Sequence, residues 1–302
     1  MKKLFMGLFT GLFIWGLFAN GHQAFALSPK GEAPSLKRIM VPHRAVYELS
    51  LAHKHQTVSV SAITGRLVFE LTGSPCTGYT QNMRMVTRII DGKGQPTLLD
   101  ERSNSWEDAQ SREFRFVSRQ FSNKKIQEFV SGYAKRDRKN KKLKVRIKKP
   151  EEVNLELPGD VLFPAQHSLA LQRAATAGKK RLNVRVYDGS EQGQGFYKTY
   201  SFIGGKFPPL KKAVAITPKT RRSRKNKYLA SLGLSGLASW PVAVSYFKVS
   251  DQYDDKIPVY ELSFRMFENG VSSSMLMNYG QFSVTGRLGQ VKYLRNKPCA
   301  RK

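Results

Sequence analysis

Acidic residues and cysteines are scarce in this 302-residue chain: 22 Asp and Glu stand against 51 Lys and Arg, and there are two cysteines. The acid deficit leaves a formal charge of +29, which directs attention to anionic partners such as phospholipid, lipopolysaccharide or nucleic acid while saying nothing about fold. Two cysteines are too few for a disulfide-stapled miniprotein. No fixed-period repeat and no blade signature is present, so solenoids and propellers are set aside. What is present is apolar material, 40% of the chain, enough for a sizeable core; wholesale disorder and a collagen-like repeat are thereby excluded.

Lys2 and Lys3 precede an apolar stretch from Leu4 to Phe18, and Ala24-Phe25-Ala26 supplies a small-x-small cleavage site. The stretch is short for a membrane span of about 20 residues and carries glycines, so residues 1–26 read as a secretory signal. Leu27, not Cys, follows the cut, which rules out a diacylated anchor and predicts a soluble periplasmic product. An exported chain meets no chromosomal DNA, and nucleic acid drops out as a partner. In an oxidising compartment an even pair of cysteines without metal-ligand spacing reads as a disulfide, here Cys76–Cys299. Closing so long a loop is worth about 5 kcal/mol as an upper figure, and it favours one domain over two.

Residues 27–40 have turn composition and read as a flexible leader, with a single domain over 41–302. From there the apolar period is two: Tyr47, Leu49 and Leu51, then Leu67, Phe69 and Leu71, then an extended run to Ile90 and a hairpin signal at Asp91-Gly92-Lys93-Gly94. Phe114 and Phe116, Ile126 to Tyr133, Leu143 to Ile147 and Val153 to Leu157 continue the pattern, with Lys144, Arg146 and Lys148 on the solvent side of one strand. Pro164 to Ala177 has helical spacing, with Pro in the first turn and Gly178 as the C-terminal cap. Strands return at 182–186 and 196–203; residues 204–241 read as a long connection with room for a short helix; 242–250, 259–267 and 282–294 complete the set. More than ten short strands and one central helix imply a mainly β fold, a large antiparallel sheet curled into a barrel, sandwich or spiral. Gly78 and Gly189 are placed at bends, and Trp106 and Trp240 as large apolar fillers.

Catalytic signals are thin. Gly233-Leu234-Ser235-Gly236 is not a nucleophile elbow, and Ser122-Asn123-Lys124-Lys125 lacks the companion motifs of a serine/lysine enzyme. Glu107 and Asp108 are neighbours, which on a strand face opposite ways, and Asp188-Gly189-Ser190-Glu191 reads as a turn. His43, His53 and His55 have no carboxylate or cysteine at matching spacing, and His167 lacks the zinc-protease partner, so no metal or cofactor is expected. Two basic runs stand out: Lys135 to Lys149 and Lys219 to Lys227. Lys139, Lys141, Lys142, Lys144, Arg146, Arg221, Arg222, Arg224 and Lys225 are the candidates for contact with an anionic surface; without interleaved aromatics the runs do not suit base stacking.

Six segments in order carry a resemblance: His43 to Leu51, Gly73 to Tyr79, Ser105 to Asp108, Phe163 to His167, Val186 to Glu191, and Ser239 to Phe247. Together they resemble the EipB family, cell envelope integrity proteins of the alphaproteobacterial periplasm, formerly a domain of unknown function. The resemblance implies a monomeric, open β-spiral of about fourteen strands accompanied by one or two short helices, and the same pairing of Cys76 with Cys299. It implies a role in envelope integrity and cell-division homeostasis, with a functional link to a periplasmic tetratricopeptide-repeat protein, and no catalytic residues. The expected function is therefore a non-enzymatic periplasmic binding or scaffold module on a protein partner or an anionic envelope component. The rival readings are a lipid or lipoprotein carrier using the concave face, and an envelope hydrolase.

Overall fold

The computed structural model describes residues 40–55, 58–137, 139, 141–210, 227–249 and 257–295. Apolar alternation sends the chain into strands β1 (His43–Lys54), β2 (Val60–Ser74), β3 (Gly78–Asp91), β4 (Pro96–Glu107), β5 (Glu113–Ser122), β6 (Lys125–Asp137), β7 (Lys142–Lys149) and β8 (Val153–Pro158). Helix α1 (Pro164–Thr176) follows. Then come β9 (Arg181–Val186), β10 (Phe196–Ile203), β11 (Ser239–Val249), β12 (Tyr260–Phe267), β13 (Ser272–Asn278) and β14 (Phe282–Tyr293), with a short helical turn over 227–231. No helix among the described residues is long and apolar enough to cross a membrane.

All the strands join one 14-stranded antiparallel sheet in the order β8-β7-β6-β5-β4-β3-β2-β1-β14-β13-β12-β11-β10-β9. β1 pairs with both β2 and β14, so the first and last strands meet mid-sheet, and the two edges, β8 and β9, are consecutive in sequence. The sheet is rolled but not closed. Leu162, on the connection between the edges, forms a parallel bridge to Val186, with the Tyr187 N–H donating to the Leu162 carbonyl at 2.9 Å. One apolar cluster joins Phe114 and Phe116 of β5 and Ile147 of β7 to Tyr187 and Phe196 near the opposite edge, so the two ends of the sheet pack on each other. Gly189, at φ +78°, lets the chain pass over the Phe116 ring; a Cβ there would sit 2.4 Å from it.

α1 lies inside the roll. Leu171, Ala174 and Ala175 pack on Ile203, Trp240, Val242 and Met266, while Ala165 and Leu169 pack on Met40, Leu71 and Tyr79 from the other half of the sheet. Its buried residues cover most of its circumference, and Gln166, Ala170 and Arg173, which share the remaining face, are half-buried. Such a helix cannot satisfy its first amides with water, and its N-cap, Phe163, offers no oxygen of its own side chain. Glu107, at the end of β4, takes that role: its carboxylate accepts from Ala165 N–H at 2.9 Å, Gln166 N–H at 3.2 Å and Ser111 Oγ at 3.1 Å. Arg136 completes the knot, donating to the carbonyls of Ser111, Gly159 and Val161 and lying over the Phe163 ring. Burial pushes the Glu107 carboxyl up to about 7 against these hydrogen bonds and the nearby Arg136 charge.

The helix and the Asp91–Gly94 turn fall where the sequence places them. Four features differ. Met40, assigned to the leader, is buried in the core, and the N–H of Val41 bonds to Asn269. β11 begins at Ser239, inside the expected connection, and β13 was not expected, because Ser272-Ser273-Ser274 has neither β-branching nor apolar alternation. Trp240 fills the core as expected, but Trp106 faces outward beneath the Arg115 guanidinium.

Because burial raises the Glu107 carboxyl, its contribution to stability is complete below its unfolded pKa and is lost as pH rises through about 7. Chemical denaturation should show wild type losing stability relative to Glu107→Gln between about pH 5 and about pH 8; a constant difference would contradict this. Glu107→Ala, which strands two amides and Arg136, should cost about 2–4 kcal/mol.

Candidate functional site

Beyond α1 the inside of the roll is not filled. Inward residues beside the helix, such as Leu71, Phe114, Trp240 and Met266, are buried, whereas Met83, Met85, Glu101, Ser103, Gln120, Tyr246 and Leu262, inward by strand register, are only half-buried. They line a hollow.

One wall is a stripe of aromatic rings over five neighbouring strands and their turns. Tyr197 of β10 meets Tyr246 of β11 at 5.8 Å between centroids, Tyr246 meets Tyr260 of β12 at 5.3 Å, Tyr260 meets Tyr279 at 5.4 Å, and Tyr279 meets Phe282 of β14 at 5.3 Å. His167 of α1 stands edge-on to Tyr246 at 6.4 Å, and burial holds its imidazole down at about 4, so it is neutral near pH 7.

Carboxylates share this space. Glu101 on β4 and Glu128 on β6 come from the wall opposite the rings, and Asp188 and Glu191 from the segment after β9. Burial, then the Glu128 charge, pushes the Glu101 carboxyl up; burial, then the Glu191 charge, does the same to Glu128. Asp188 is exposed, yet desolvation raises its carboxyl, and its charge raises the phenols of Tyr246 and Tyr260 after burial. The Asp188 carboxylate also accepts from the Ser190 N–H at 2.9 Å. Lys248 answers part of the charge, donating to Glu191 at 2.6 Å, and the Tyr197 hydroxyl bonds to Ser190 at 2.8 Å and to Glu191 at 3.3 Å.

Chemically, the hollow offers ring faces and carboxylates, the pair of features that receives cationic groups. Methionine and leucine side chains on the remaining surface give it an adaptable apolar part.

The basic candidates lie elsewhere. Lys142, Lys144 and Arg146 project from the outward side of β7 while Leu143, Val145 and Ile147 are buried; Lys144 pairs with Asp137 at 3.1 Å and Arg146 with Glu152. Lys139 and Lys141 are exposed in the turn before β7. Arg221, Arg222, Arg224, Lys225 and Cys299 lie outside the described residues. Cys76 sits exposed in the turn between β2 and β3. The histidines are placed by packing: His43 Nδ1 is 2.7 Å from the Val41 carbonyl and its ring lies against Phe69, while His53 and His55 stand edge-on at 6.0 Å near the end of β1. Among the described residues no group of three or more His, Cys, Asp or Glu side chains is arranged to hold a metal ion.

Sequence reading missed the aromatic stripe, whose members are scattered from Tyr197 to Phe282 and meet only through strand register. Asp188-Gly189-Ser190-Glu191, which reads as a turn in the sequence, also carries two of the carboxylates.

Lys248→Met leaves Glu191 without its cation in the hollow and should cost about 3 kcal/mol, whereas the double change Lys248→Met with Glu191→Gln should recover most of it. A thermal or denaturant double-mutant cycle measures both; additive losses would show that the two groups are not coupled.

Residues 36–295 match the EipB-like family. The cell envelope integrity protein EipB of Brucella abortus (strain 2308) is 33% identical over 277 residues, covering 92% of this chain and 89% of that protein. A solved structure from Brucella abortus, described as a β-barrel-like protein of a domain of unknown function, superposes with a TM-score of 0.73 at 32% identity, covering 85% of this chain and 99% of that one. Sequence and fold agree over nearly the whole length, and the chain belongs to the EipB-like family of cell envelope integrity proteins.

Proposed function

We propose that this protein serves envelope integrity from the periplasm as a non-enzymatic binding module, and that the hollow is where it receives its partner. The observation that carries this reading is the aromatic stripe set beside carboxylates, one of which, Glu191, accepts from the Tyr197 hydroxyl at 3.3 Å. A protein partner fits, because a projecting Lys or Arg side chain presents the cation that rings and carboxylates accept. The resemblance points to a tetratricopeptide-repeat protein as that partner. The residues that a hydrolase would draw on support the non-catalytic reading: His43 and His167 are locked by packing, Glu107 is committed to capping α1, and Ser122 and Lys125 are paired strand residues flanking a two-residue turn.

The basic side of β7 and the run beyond it contribute adhesion to anionic lipid or lipopolysaccharide, a screened attraction whose reach is about 8 Å at physiological ionic strength. A carrier of acyl chains is the second reading, favoured by Met83, Met85 and Leu262, but carboxylates along the same surface would have to be desolvated by the chain.

Crosslinking in intact envelopes, followed by capture of the exported chain, tests the proposal together with complementation of an envelope-stress phenotype. Tyr260→Ala with Asp188→Asn should accumulate stably, lose the crosslinked partner and complement poorly. Full complementation and unchanged capture would remove the hollow from the function.

Pairing of Cys76 with Cys299 belongs to the same proposal. β2 runs on past the start of β1 toward Cys76, and β14 leaves the sheet at that same end, with Leu294 N–H bonded to Pro42. Alkylation of unreduced periplasmic protein should label no thiol, and Cys76→Ser and Cys299→Ser should lower the melting temperature equally. Two labelled thiols per chain would end the idea.

A further inference from the structure

The outward face of β1 to β5 carries a groove of about 460 Å³ that lies on the other side of the sheet from the hollow and away from the basic face of β7. Strand register organises it. Arg84, Arg102 and Arg119 stand directly opposite one another on β3, β4 and β5, and a parallel row runs Arg44, Glu70, Asn82, Asn104 and Val117 on β1 to β5. Like charges directly across a sheet repel, and three arginines in one row at strand spacings of about 4.8 Å are an arrangement that the bare fold does not favour.

The row is nevertheless held in place. Asp100, also facing outward on β4, accepts from Arg84 at 2.8 and 3.0 Å and from Arg102 at 2.7 Å, and those hydrogen bonds, set against burial, hold its carboxyl down at about 2. Arg102 lies over the Phe121 ring at 5.0 Å and Arg119 over the Phe129 ring at 4.7 Å. Arg44 and Arg119 make no ion pair among the described residues. One carboxylate therefore serves two guanidinium groups, rings lie beneath two of the three, and all three arginines line the groove. The lining holds four arginines against Glu70, with amide groups from Asn82 and Asn104 beside them.

We infer that this groove binds a phosphorylated sugar. The guanidinium row receives the phosphate through forked, charge-assisted hydrogen bonds, and the asparagine row meets the neighbouring hydroxyls with donors and acceptors. The ligand class follows from both rows together: a bare anion would use only the first, a neutral glycan only the second. The inference stands independently of the hollow, which lies on the opposite face.

The test uses the mature chain and two sources of the same chemistry, glucose 1-phosphate in solution and phosphatidylcholine vesicles carrying monophosphoryl lipid A, with glucose and inorganic phosphate as controls. Calorimetry should show glucose 1-phosphate binding more tightly than either control, or sedimentation should show the lipid A vesicles bound in preference to plain phosphatidylcholine; the active arm identifies a free or a lipid-borne sugar phosphate. Arg102→Gln with Arg119→Gln should weaken that binding about tenfold or more, and Arg119→Lys, which keeps the charge but loses the fork, by about fivefold. Lys142→Gln with Lys144→Gln and Arg146→Gln on β7 should change it less than about twofold, because a screened surface charge is not the ligand contact. Thermal melts confirm that each variant is folded, and Arg119→Lys keeps the test open if the double variant is not. Binding in neither arm overturns the inference. Inorganic phosphate binding as tightly as the sugar phosphate, or equal loss from the β7 variant, does so as well.

Discussion

A helix enclosed by a rolled sheet has to find partners for its first amides inside the protein, and much of this structure follows from how that is done. α1 starts against the end of β4, where Glu107 accepts from Ala165 and Gln166. The acceptor comes from a strand 58 residues earlier in the chain, so the bond ties the helix to the sheet and not merely to its own preceding turn. Arg136 of β6 then holds the carbonyls of residues 159 and 161, the stretch that brings the chain from the β8 edge to the helix. With the helix held there, its two sides pack on β2 and β3 and on β10 to β12, and the curl of the sheet is set by what it encloses.

The same connection handles the edges. An open sheet exposes unpaired backbone groups at both ends, and long free edges invite pairing with other chains. Here β8 and β9 are six residues each, β8 ends in Pro158, and the segment joining them bridges to β9 through Leu162. The roll therefore protects its opening with its own backbone without closing as a barrel. The hollow stays accessible for the same reason that the edges are safe.

How far the sequence reveals this depends on the range of the interaction. Period-two runs such as Leu143-Lys144-Val145-Arg146-Ile147 declare a strand and its buried side, and Pro164 with Gly178 brackets the helix, because those signals are local. β13 is silent, since Ser272 and Ser273 become strand residues only by pairing with β12, while residues 275–278 pair with β14. Glu107 reads as an ordinary strand-end acid until the helix arrives above it. Tyr246 and Tyr260 are partners only in the register of β11 with β12, and Tyr279 joins them from a turn, so no spacing in the chain announces the stripe. Trp106 shows the converse: a residue type that usually fills cores is turned outward by strand parity, because its neighbour Glu107 has to face the helix.

Strand parity also divides the charge. β4 turns Glu101 and Glu107 inward and Asp100 and Arg102 outward from adjacent positions, so a single strand serves two environments of opposite character. The chain has few acids, and several of them, Glu101, Glu107, Glu128, Asp188 and Glu191, are spent inside, which leaves the outer surface more cationic than the composition alone conveys. Interior carboxylates are costly unless they are paired or hydrogen-bonded, and burial lifts those of Glu101, Glu107 and Asp188. Core packing alone would favour apolar residues at these positions. Glu107 has its structural reason in the helix and Asp188 in its turn, where it accepts from the Ser190 N–H, while Glu101 is held by a hydrogen bond with Gln120; each interior carboxylate is kept by a partner that strand register or a turn brings to it.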